Sequence, residues 1–197
     1  MNADPITGFR FVNYDTNELA KCGEEFERAF RKCGLSGNCE WTPAIFRWFR
    51  QIRAEGVHVY PEPDEGEGEF IVDHCHTTYP FHGEDSRWPS PNYYKRAFEG
   101  LCEIKLALES ERGKWANSET SLAMVLDDAC KLAVLRAKVK VMIFASHPGK
   151  PDSVPEALAK LRKCHQDTVP WLWIDVPNEP RRPTGAPRGI RHGLLVD

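Results

Sequence analysis

From Leu101 to Glu111 the chain reads LCEIKLALESE, an alternation of apolar and polar positions that ends in two carboxylates, Glu109 and Glu111. Successive side chains of a strand point to opposite faces, so the pattern predicts a strand with Ile104, Leu106 and Leu108 on one side. Glu109 and Glu111 then emerge together on the other. Upstream, NELAKCGEEFERAFRKC (17–33) sets Leu19, Phe26 and Phe30 near helical spacing, and Trp41–Arg53 repeats the style with Pro43 near its first turn. Two N-terminal helices follow, joined by the turn formers GLSGN at 34–38.

Val57–Tyr60 (VHVY) reads as a short strand, and the acid, Gly and Pro stretch 61–69 as an exposed turn before a second strand, FIVDHCHTTY. Residues 82–94 form a loop rich in turn formers and lead to the carboxylate-bearing strand. Ser118–Ala137, apolar nearly all round, predicts a central helix covered on most sides. Val139–Ala145 predicts a buried strand, Val154–Cys164 an amphipathic helix and Thr168–Val176 a last strand. Residues 177–197, rich in Pro, Gly and Arg, predict no firm element and are expected to be a flexible basic tail. The order implies an α/β fold: a meander of three strands, then helical crossovers to parallel strands in a mixed central sheet flanked by helices. Residues 1–56 are expected to pack as helices on a core spanning 57–176, all in one domain.

Composition narrows the classes. At 197 residues and 41% hydrophobic the chain supports one well-buried core, and no apolar run approaches the roughly 18 residues of a membrane helix. A formal charge of −3 excludes a generally basic nucleic-acid coat but leaves room for a local basic groove. Seven cysteines without CxxC spacing, and a start lacking basic and apolar leader regions, lead us to expect a reduced, cytoplasmic protein. Gly-rich phosphate loops and GxSxG elbows are absent, which lowers nucleotide-hydrolase and esterase readings.

The acids are the candidate chemistry. Two like charges on a half-buried strand repel, and a hard divalent cation is the simplest compensation. Asp73 ends another apolar run, EFIVD, on the strand expected beside them. If the two strands are antiparallel neighbours, Asp73 comes close enough to Glu109 to share that ion. Lys131, on the helix that follows, has a stem long enough to return its ammonium to the same place.

In these residues and in its order of elements, the chain from about Val57 to Val176 resembles the PD-(D/E)XK nuclease superfamily, with its restriction-endonuclease-like fold. Asp73 matches the first acid and Glu109 the second, which together bind magnesium. Glu111 stands where the usual Lys would be, an acid-x-acid variant, and Lys131 matches relatives whose Lys has moved to the next helix. Val72 replaces the usual Pro. The resemblance implies a Mg²⁺-dependent endonuclease, with Mn²⁺ as a substitute, that hydrolyses DNA, duplex sooner than single strand. The metal on Asp73 and Glu109 would polarise the phosphate and acidify an attacking water. Glu111 or Lys131 would orient that water. A homodimer with a restriction or defence role is implied as well, and a catalytically silent subunit used in binding or assembly is the rival. A literal ExK, Glu103 and Lys105, stands before the apolar body of the strand and is the less favoured register.

Other signals have plainer readings. Strand alternation separates Cys75 and Asp73 from His74 and His76, which argues against a zinc site that also uses His82. Trp171 and Trp173 share one face of an apolar strand and are expected in the core. Trp88 and Trp115, in loops, are the better candidates for stacking on bases, and Arg181, Arg182, Arg188 and Arg191 for gripping phosphates. Lys131 pairing along its own helix with Asp127 is the bland alternative to a site.

Overall fold

Helix α1, Thr16–Cys33, begins where its free N–H groups find carboxylates. Asp15 accepts from Glu18 N–H at 2.9 Å, and Glu18 in turn accepts from the amides of Val12, Asn13 and Tyr14 at 3.0, 2.9 and 2.7 Å. Leu19, Cys22, Phe26 and Phe30 recur at helical spacing and are buried. Helix α2, Asn38–Gln51, buries Ala44, Ile45, Trp48 and Phe49. It starts three residues earlier than its pattern suggests, which places Pro43 inside the helix. The computed structural model describes residues 7–33, 38–60, 72–78, 103–111, 118–147, 150–176 and 189–196. The expected turns at 61–69 and 82–94, and His82, Trp88, Trp115, Arg181, Arg182 and Arg188, lie outside them.

Strands β1 (His58–Tyr60), β2 (His74–Thr77), β3 (Ile104–Glu111), β4 (Val139–Phe144), β5 (Trp171–Asp175) and β6 (Arg191–Leu195) form one six-stranded mixed sheet in that spatial order. β1, β2 and β3 are an antiparallel meander, and β4 and β5 continue parallel to β3. The parallel steps are made through α3, Ser118–Val134, and α4, Ser153–Cys164. Leu106, Leu108, Val141, Ile143 and Leu172 face α1 and α2, while Ala107, Met142, Phe144 and Trp171 face α3 and α4. The α/β class and the mixed sheet read from the sequence therefore stand.

Three readings need correction. Helix α3 is a surface helix: Ser121, Val125, Ala129 and Leu132 are buried, whereas Val134 is 67% exposed. Its apolar outer positions misled, because they are only partly covered, Leu122, Leu126 and Ala133 among them. Ile104 packs with the α3 and α4 face and not with Leu106 and Leu108, because the register shifts between His76 and Thr77.

The third correction concerns the tail, where residues 191–195 form β6, antiparallel to β5. Arg191 donates to Asp175 at 2.7 Å and to Asp152 at 2.8 Å, and Asp175 also accepts from Ser146 Oγ at 2.6 Å. A buried carboxylate thus ties the last strand to the ends of β4 and α4. Gly193 lies flat on Trp173, and a Cβ there would sit 2.6 Å from the indole ring. Gly193→Ala is accordingly expected to loosen β6 and lower stability by roughly 1–3 kcal/mol, a shift that thermal unfolding would register. An unchanged midpoint would mean that β6 does not need this contact.

Candidate metal centre

The register of β2 and β3 builds the site. His74 pairs with Leu108, so Asp73, one residue before β2, falls opposite Glu109. Asp73 is held by the Ser110 amide, which donates to its Oδ2 at 2.9 Å. Glu109, on the α3-facing side of β3, is fully buried; among the described residues no donor reaches either of its oxygens, and in its protonated form it donates to Asp73. From α3, Lys131 brings its Nζ to 3.7 Å from Glu109 Oε1 and to 2.7 Å from Asp128 Oδ1.

Burial first, and then the charge of Asp73, push the Glu109 pKa up to about 9 against the opposing pull of Lys131. Asp73 is raised as well, again chiefly by burial, with the Ser110 amide working the other way. Burial works against the Lys131 ammonium, but its hydrogen bond to Asp128 and the charges of Glu109, Asp128 and Asp73 outweigh it and leave the pKa raised. The pocket thus holds Glu109 protonated beside Asp73. Two carboxyls that ionise reluctantly, one without any donor, are the condition under which a divalent cation replaces a proton.

Of the residues singled out in the sequence, Asp73, Glu109 and Lys131 are brought together. Glu111 ends β3, half-buried and in register with Phe144, two residues beyond Glu109. Among the described residues no cluster of three or more His, Cys, Asp or Glu is arranged to enclose a metal, so the notion that three acids converge on one ion is not met by this geometry. The helix partner of Lys131 is Asp128 and not Asp127. Sequence reasoning passed over Asp128 although a signal existed: Val125, Ala129 and Leu132 mark the buried stripe, and Asp128 and Lys131 share one flank of it. The literal ExK pair is spent at the far end of β3, where Lys105 and Lys138 pair with Glu103.

His74 and His76 point to the α1 and α2 face, opposite Cys75. His76 bonds Tyr14 Oη at 2.9 Å and the Phe49 carbonyl at 3.0 Å, a packing role that leaves it remote from the carboxylates. Trp171 is buried and Trp173 packs on the same face, as their spacing suggests. No helix among the described residues is long and apolar enough to cross a membrane. No protein-family model, no curated protein and no solved structure matches the chain.

Proposed function

We propose that the chain is a metal-dependent endonuclease of PD-(D/E)XK type acting on DNA, a cytoplasmic homodimer in a restriction or defence role. The observation that carries the reading is the fully buried carboxyl of Glu109, beside Asp73 and Lys131 at the end of an apolar strand. A buried acid that holds its proton beside a second acid is a place where a divalent cation can displace that proton. Asp73 and Glu109 would hold the ion. Mg²⁺, or Mn²⁺ in its place, would supply Lewis-acid polarisation of a phosphate oxygen and a more acidic water. Asp73 is kept in position by the Ser110 amide, and Glu109 by the strand that buries it. Lys131, steadied by Asp128, places a positive charge where negative charge builds on the phosphate, and Glu111 or Lys131 would orient the water.

A second reading, a catalytically silent subunit that binds nucleic acid or serves in assembly, draws on Glu111 standing where the resemblance puts Lys. Plasmid nicking with Mg²⁺ or Mn²⁺ separates the two. Cleavage by the parent that is lost in both Asp73→Ala and Glu109→Ala is the expected result. A parent that cleaves neither DNA nor RNA under these conditions leaves the silent subunit as the function.

A further inference from the structure

Lys131 has a choice of acids on its own helix, and the one it takes keeps it at the carboxylate site. Asp127, at i−4, is exposed and pairs with no cation among the described residues. Asp128, at i−3, is the more sheltered, its side chain 19% exposed, and accepts from the ammonium at 2.7 Å. That choice leaves Nζ 3.7 Å from Glu109 Oε1, inside ion-pair range but too far for a hydrogen bond.

An ordinary ion pair on a helix surface accounts for Asp128 and Lys131 taken by themselves. It does not account for their standing over a fully buried acid. Among the described residues Lys131 is the one cation within ion-pair distance of Glu109, and the charges of Asp128 and Lys131 both act on Glu109 and on Asp73. Three acids and one ammonium, from the start of β2, from β3 and from α3, thus form one electrostatic unit. An ammonium and a divalent cation drawn to the same carboxylate oxygen repel each other, so each weakens the hold of the other.

We infer that Lys131 is a tethered competitor for the cation position at Glu109, and that Asp128 is the positioning residue that holds it back from that oxygen. The inference rests on Asp73 and Glu109 as a cation site and not on the cleavage of DNA. Without Asp128 the ammonium turns to Glu109 and lowers the affinity for the ion. With Asp128 it stays beside the site, where the proposed reaction needs its charge.

Calorimetric titration of Mn²⁺ at one pH and ionic strength tests this without substrate. The proteins are the parent, Lys131→Met, Lys131→Arg, Asp128→Asn and the double variant Asp128→Asn/Lys131→Met. Lys131→Met is expected to bind about tenfold more tightly, the lower end of what one charge within about 4–6 Å does to a carboxylate, because Lys131 is half-exposed. Lys131→Arg keeps the charge and a donor for Asp128, and is expected to stay near the parent. Asp128→Asn is expected to bind more weakly, with a loss at least about threefold smaller in the Lys131→Met background, where no ammonium is left to release. A gain in affinity cannot come from misfolding, so Lys131→Met carries the test even if Asp128→Asn loosens α3. Lys131→Met no tighter than the parent, Lys131→Arg tightened as much, or equal losses from Asp128→Asn in both backgrounds would overturn the inference and leave the cation site standing. A parent that takes up no more Mn²⁺ than Glu109→Gln removes the site itself, and this role with it.

Discussion

Glu109→Gln is expected to make the protein more stable near pH 7.5 while depriving it of divalent-cation binding and cleavage. The wild-type carboxyl is held protonated to about pH 9, whereas in the unfolded chain it ionises near its ordinary 4.5. Between those limits the native state carries the extra proton, so stability falls as pH rises, by up to about 1.4 kcal/mol per unit. Gln has nothing to ionise and escapes that loss, although its buried amide returns part of the gain through unmet hydrogen bonds. A net gain of roughly 2 kcal/mol near pH 7.5 would raise the thermal midpoint by about 4–8 °C in a chain of this size. The gain should disappear near pH 4.5. Addition of Mn²⁺ should stabilise the parent through ligand linkage and leave the variant where it was. Cleavage should fall by more than the 10–100-fold typical of losing an outer-shell partner of a metal. A variant no more stable than the parent at pH 7.5, or one that keeps its full response to Mn²⁺, would show that Glu109 is neither strained nor a ligand.

Below about pH 6.5 the fold is expected to weaken from the opposite face of the sheet. His74 and His76 are fully buried beneath α2, where His74 contacts Phe46, Phe49 and His76 and, among the described residues, has no hydrogen-bond partner for either ring nitrogen. Burial lowers the His76 pKa to about 3, and lowers that of His74 well below its usual value, with His76 and Arg50 adding to the effect. Both rings stay neutral in the native state while the unfolded chain takes up protons below 6.5. Their contribution is therefore intact above that pH and is lost as pH falls, by up to about 1.4 kcal/mol per unit for each ring. His74→Phe keeps the ring packing, removes two unsatisfied polar atoms and one titration, and should flatten the decline by about half. Denaturant unfolding of parent and variant between pH 4.5 and 7.5 checks this. Parallel curves for the two proteins would place the acid sensitivity elsewhere. Tyr14 is part of this arrangement, since its hydroxyl bonds His76 and its ring stacks on Phe11.

How far the site was legible follows from the range of the interactions that build it. Alternation put Glu109 on the face away from Leu106 and Leu108, and antiparallel pairing of two neighbouring strands was enough to bring Asp73 opposite it. Asp128 was harder, because a helix offers Lys131 partners at both i−4 and i−3, and only the stripe buried against the sheet selects between them.

What the sequence by itself determined is local: helices α1, α2 and α4, the alternating faces of β3 from Leu106 to Glu109, the buried run of β4 and the mixed order of strands, all written in periods of 3.6 and 2. Only the tertiary structure decided that α3 is open on its outer side, that RHGLL becomes β6 and that Glu109 is left without a donor. Strand β6 exists because Asp175, Asp152 and the face of Trp173 wait for Arg191 and Gly193, partners distant in the chain. Burial and the charge of Asp73 set the ionisation of Glu109, and both are properties of the assembled sheet and of no single segment within it.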